Sequence, residues 1–230
     1  MKAIDRLALG MVVLVGITGC SHSKDPSAPL SLSAALDDPV GDTYATSEPA
    51  GTVIPDLVRL AASLEDTVLV VRFEFADVMV SDAVGGANVV AGFLDIDIDQ
   101  NGATGMTAAT DVFRPAGSGS TGMEDEYFVS LWADSQGRYE IRRASDGAVT
   151  GTVNPLFHDK TLELRLPLST LGPDDGHANL AAVVGTMSGP TDIAPNTGHL
   201  ALGAPAAVAA RVQATVIPAL VSGRTIRWGR

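Results

Sequence analysis

The feature that most constrains the fold is a hydrophobic period of two that recurs along almost the whole chain. In Val68-Leu69-Val70-Val71-Arg72-Phe73-Glu74-Phe75, one face carries Leu69, Val71, Phe73 and Phe75, while the other ends in Arg72 and Glu74. Successive side chains of a strand point to opposite faces, so this pattern predicts a half-buried strand. The rule extends, more weakly, to Asp56–Leu64, where Val58, Leu60, Ala62 and Leu64 oppose Leu57, Arg59, Ala61 and Ser63. Val89–Ile98 is a third strand, with Val90, Leu94, Ile96 and Ile98 on one face. Glu126–Ala133, Arg138–Arg143, Thr161–Leu166 and Asn179–Gly185 follow the same rule. Turn signals lie between them: Glu65-Asp66, Gly85-Gly86, Ser135-Gln136-Gly137, Asp146-Gly147 and His158-Asp159-Lys160. Seven or more short strands with frequent turns predict an all-β fold, an antiparallel β-sandwich of jelly-roll or immunoglobulin-like type. Residues 106–125 read as a long surface loop rich in Gly, Ser, Thr and acid, and Ser169–Pro173 as one helical turn.

The amino terminus has a different character. Lys2 and Arg6 precede an apolar run from Leu7 to Ile17, which leads into Thr18-Gly19-Cys20. The run is about a dozen residues, short of the roughly twenty that span a bilayer, so it predicts a helical secretory signal. Its end resembles the lipobox of bacterial lipoproteins. That resemblance implies cleavage before Cys20, acylation of Cys20, and attachment to the membrane through lipid. It places the protein in a bacterial cell envelope. Ser21, where Asp would retain the chain at the inner membrane, implies outer-membrane delivery in a Gram-negative host. The domain plan that follows is a signal peptide at 1–19, a polar tether at 20–34, the sandwich at 35–203 and a tail at 204–230. A tether of this composition cannot bury a face, and it holds the sandwich within about 30 Å of the membrane. In the tail, Ala204–Ala214 fits either a helix or strands.

The chain has one cysteine and a net charge of −12. With Cys20 lipidated no disulfide is left, so stability falls to packing and bound metal. The charge is uneven: residues 20–192 carry 26 acidic and 9 basic side chains, and the stretch beyond Asp192 carries only arginines. Such a body repels nucleic acid and attracts divalent cations.

The sharpest chemical signal is Asp95-Ile96-Asp97-Ile98-Asp99-Gln100-Asn101-Gly102-Ala103. Alternation puts Asp95, Asp97 and Asp99 on one face, where like charges call for water or a cation. Set against a calcium-binding EF-hand loop, Asp97, Asp99 and Asn101 occupy positions 1, 3 and 5. Gly102 takes the sharp turn, and Ala103 offers its carbonyl at position 7. Ala108 stands where the closing glutamate belongs, and the flanks are not helices. The expectation is a calcium loop closed from elsewhere, by Asp111 or by Glu124, Asp125 or Glu126. Glu126, at the start of a strand, is favoured. The competing reading is a solvated acidic turn with no fixed ion. Asp38, Asp42 and Asp56 form a weaker second cluster.

Several short motifs recur in a suggestive order: Asp38-Pro39-x-Gly41-Asp42, Asp56-Leu57, Asp97-x-Asp99-x-Asn101-x-x-Thr104-Gly105, Glu126-Tyr127, Pro167-Leu168-Ser169-x-Leu171-Gly172, and Asp192-x-x-Pro195-Asn196-x-Gly198. Together, over residues 36–200, they resemble secreted bacterial β-sandwich modules akin to the DOMON and family 9 carbohydrate-binding group. The resemblance implies a binding or accessory domain with structural calcium, and a glycan or protein ligand. Phe128 and Trp132, outside the expected inner face, form a candidate stacking platform for such a ligand. The alternative is an assembly lipoprotein that docks an envelope protein. His22, His158, His177 and His199 form no zinc pattern, and neither a nucleophile elbow nor a phosphate loop appears, so a binding role is expected ahead of an enzyme, with a small hydrolase as the lesser alternative.

Overall fold

The computed structural model describes residues 32–44, 47–172, 176–203 and 226–229. The signal segment, Cys20 and nearly all of the tether and tail lie outside the described residues. Among the described residues no helix is long and apolar enough to cross a membrane.

In chain order the strands are β1 (Ser33–Asp37), β2 (Leu57–Glu65), β3 (Val68–Phe75), β4 (Val80–Ser81), β5 (Val89–Asp97), β6 (Met106–Thr107), β7 (Glu124–Asp125) and β8 (Tyr127–Ala133). After them come β9 (Tyr139–Arg143), β10 (Val149–Val153), β11 (Leu156–His158), β12 (Thr161–Pro167), β13 (Ala178–Gly185), β14 (Pro190–Ala194) and β15 (Leu200–Leu202). A five-residue helix α1 (Ala109–Phe113) sits between β6 and β7, and a 3-10 turn spans Leu168–Thr170.

Two antiparallel sheets face each other, as the alternation predicts. One runs β1-β2-β3-β12-β11. The larger runs β10-β9-β8-β5-β13-β14, with β15 also on β13 and β4 parallel to the start of β5. The short β6 and β7 pair apart from both. Between the sheets, Leu60, Val71, Phe73 and Leu164 meet Leu94, Ile96, Val129, Ile141 and Leu180 in one buried cluster. Each such side chain, fully removed from water, contributes about 1.5–3 kcal/mol, which lets a chain with one cysteine hold a core without a disulfide.

The larger sheet also carries a second apolar layer. Ala91, Phe93, Phe128, Trp132, Val183 and Ile193 project from its outer face and are covered by Phe113 of α1, Tyr44, Ile226 and Trp228. Trp228 stands edge-on to Phe93, Phe113 and Trp132, and its indole donates to the Thr186 carbonyl at 2.9 Å. Every residue of β5 and β13 is therefore buried, where one-sided burial was expected. Gly92 in β5 marks how tightly these two strands approach, because a Cβ there would lie 2.0 Å from the Val183 carbonyl oxygen. In β2, a bulge between Leu57 and Arg59 shifts the alternation, so that Leu57 and Leu60 are both buried. The stretch 106–125 is not one loop: it holds β6, α1 and β7.

Candidate metal centre

β5 leaves the larger sheet at Asp97, and the chain turns sharply through Gln100, whose φ is +53°. The turn brings Asp99 back toward Asp97. Glu126, between β7 and β8, arrives from the strand paired with β5. One carboxylate oxygen from each of Asp97, Asp99 and Glu126 lies within 4.8 Å of the other two. Asp97 is fully buried, Glu126 half-buried and Asp99 exposed.

The donors around these oxygens are neutral. Asn179 donates to Asp97 at 3.0 Å, the Asn101 amide to Asp99 at 2.9 Å, the Thr104 hydroxyl to Asp99 at 2.8 Å, and the Ile98 amide to Glu126 at 3.1 Å. Glu126 Oε1 is buried without a hydrogen-bond partner. Among the described residues no Lys or Arg forms an ion pair with any of the three. Two full charges at this separation repel by about 3.5 kcal/mol at an effective dielectric of 20, and all three pairs oppose full ionisation of the trio. Burial, reinforced by Asp99 and Asp97, pushes Glu126 up to about 7. Burial also raises Asp97 above the ordinary carboxylate value. Either protons or a cation must relieve the trio. All-oxygen, carboxylate-rich donors suit a hard ion such as calcium.

The other expected ligands have different positions. Asn101 lies in the loop, where its side-chain oxygen accepts from the Ala103 amide at 3.3 Å. Its own backbone amide braces Asp97 and Asp99. Gly105, with φ +97°, lets the chain pass against Glu126, since a Cβ there would lie 2.8 Å from Oε1. Asp95 is not in the trio. Its oxygens accept from the Ala109 amide at 3.0 Å and from the Thr110 amide and hydroxyl at 2.7 and 2.6 Å. Those amides open α1 and have no partner within the helix, so Asp95 anchors α1 to β5. Asp111 also stands aside. It pairs with Arg114 and accepts from Ser120 and Thr121, which closes the 111–121 segment.

The second cluster forms around a residue that local spacing did not single out. Asp38 and Asp42 converge with Asp192 of β14, again with oxygens within 4.8 Å. Asp56 lies beside them and accepts from the Gly41 amide at 2.8 Å. Asp192 is 154 residues from Asp38, and its only sequence signal is its place in the ordered motif series.

The stacking platform needs correction. Phe128 and Trp132 are only 6% and 4% exposed, because Trp132 packs beneath Trp228 and against Phe93. What remains is a groove of about 440 Å³ beside them, lined by Ser130, Asp134, Glu140, Arg142 and Arg227. Glu140 and Arg142 pair on its floor, and the Trp132 indole nitrogen is buried without a partner.

Set against protein-family models and curated proteins, the chain matches none.

Proposed function

We propose that this protein is a lipid-anchored, calcium-stabilised binding module on the outer side of a bacterial membrane. The observation that carries the reading is the convergence of Asp97, Asp99 and Glu126 at the exit of β5. Calcium there fastens the 98–105 loop to the β7–β8 junction and holds that end of the sheet in one conformation. The lipobox-like Cys20 supports the address, and the acidic body argues against nucleic acid.

The groove beside Trp132 supports a small polar ligand. The Glu140–Arg142 pair, with Ser130 and Asp134 beside it, offers the donors and acceptors that bind sugar hydroxyls, so the ligand class is a glycan. A glycan array probed with the labelled full chain tests this. Retention of a glycan that Glu140→Gln weakens at least tenfold, with melting unchanged, is the expected result. Retention of none, or binding indifferent to Glu140→Gln and Trp132→Phe, would remove the glycan reading.

A further inference from the structure

We propose that Asp38, Asp42 and Asp192 form a second site for a hard divalent cation, calcium by size and donor type, which pins the segment after β1 to β14 of the opposite sheet. The site stands on geometry separate from the Asp97 trio, so it goes beyond the function proposed above.

Three carboxylates from two distant parts of the chain bring oxygens within 4.8 Å of one another. An acidic patch on a surface would spread apart, but here two of the three groups cannot. Asp192 is 1% exposed and fixed by the Leu57 amide on Oδ2 at 2.6 Å and the Ile193 amide on Oδ1 at 2.8 Å. Asp38 is 7% exposed and follows directly on β1, where its amide is held by the Val58 carbonyl at 2.9 Å.

The second observation is an orphaned oxygen. Asp38 Oδ2 is buried without a hydrogen-bond partner, and the neutral donors at this carboxylate come from Asn196, whose side-chain amide stands 3.5 Å from Oδ1 and whose backbone amide also faces it. Asp56 Oδ1, alongside, is likewise buried without a donor. A buried carboxylate oxygen with no donor is costly unless something positive meets it. Among the described residues no side chain does. Arg114 reaches Asp111 and the Asn196 carbonyl and keeps one buried Nη2 without a partner, but among the described residues it forms no ion pair with Asp38, Asp42 or Asp192. The same Asn196 side chain donates to Asp42. Its amide can turn over to present oxygen instead, which would add a fourth neutral ligand.

The placement gives the ion a mechanical role. Asp38 lies where the chain leaves β1, the edge strand of the five-stranded sheet. Asp192 lies in the larger sheet and already reaches across to the start of β2. An ion between them joins the sheets at that edge.

The test uses the full chain in detergent, with calcium per chain counted by equilibrium dialysis and melting followed in saturating calcium and in EDTA. Asp42 is exposed, and Asp42→Asn leaves its shape intact, so that variant folds. It is expected to bind one calcium fewer than wild type at concentrations that saturate the wild-type chain, with affinity at this site down at least tenfold. Asp38→Asn is expected to change sign. It melts above wild type in EDTA, where it relieves repulsion, and below wild type in calcium, where it removes a ligand. Asp97→Asn with Asp99→Asn should leave this calcium in place, so the two sites fail separately. The proposal is overturned if Asp42→Asn binds as many ions as wild type, or if Asp38→Asn melts higher under both conditions.

Discussion

The two carboxylate clusters differ in how they are built. Asp97 and Asp99 come from one turn, and Glu126 from the neighbouring strand, so the trio needs only a sheet edge and a tight loop. Asp38 and Asp42 come from the segment after β1 and Asp192 from β14 of the opposite sheet, so the cluster closes only when the whole sandwich is assembled. The first cluster is half open to water, and its exposed member, Asp99, can swing away. The second is pinned by backbone amides on the Asp192 side and has less freedom to relax. The lesson is that the same side-chain chemistry can serve a local loop in one place and the joining of sheets in another. The two should respond differently to mutation.

The largest expected effect is on Asp192. Replacing it with Ala orphans the Leu57 and Ile193 amides, both buried, at about 1–3 kcal/mol each. Asp192→Ala should therefore lose about 2–5 kcal/mol in urea unfolding even in EDTA. A loss under about 1 kcal/mol would mean that the sheets are not joined there. Asp95 comes next. It stands on the same strand as Asp97 but serves α1, so Asp95→Ala should cost a comparable amount, about 2–5 kcal/mol, through the lost Ala109 and Thr110 bonds. Its calcium affinity should match wild type. A calcium defect would place Asp95 back among the ligands.

Proton linkage gives a subtler contrast. Burial lifts Asp192 from 3.8 to about 8, Asp38 from 3.8 to about 7, and Glu126 from 4.5 to about 7. Between about pH 4 and 8 the metal-free folded chain keeps protons that the unfolded chain has released, so stability falls as pH rises through that window. In EDTA the chain should melt higher at pH 5 than at pH 8. Calcium, which competes with those protons, should narrow or reverse the gap. Asp192→Asn should flatten the EDTA profile more than Asp99→Asn, because Asp99 is exposed. A flat wild-type profile in EDTA would contradict the shared electrostatic basis of both clusters.

Much of this architecture can be read from local pattern. The alternation in β3 gave its two faces, and the step from Ile98 through Asn101 gave a turn with clustered acids. A strand start holds a side chain rigidly, which favours Glu126 as the distant partner, and the structure does bring it beside Asp97. Other features depended on contacts that no local window contains. β5 is buried on both faces because α1 and Trp228 cover it, and Trp228 lies more than 130 residues away. The same cover hides Trp132, which alternation alone placed outside. α1 has five residues and no helical period of its own, and it is held by Asp95 from another strand. Asp192 sits in a short apolar strand, where nothing local separates a ligand from a chance acid.

The central claim is that a hard cation relieves the crowded carboxylates at the exit of β5. Thermal melting of the full chain in calcium and in EDTA, for wild type and for Asp97→Asn with Asp99→Asn, tests it most directly. Calcium should raise the wild-type melting point by several degrees, and the double substitution should remove a large part of that gain. A wild-type melting point that ignores EDTA, or a gain of the same size in the variant, would contradict it.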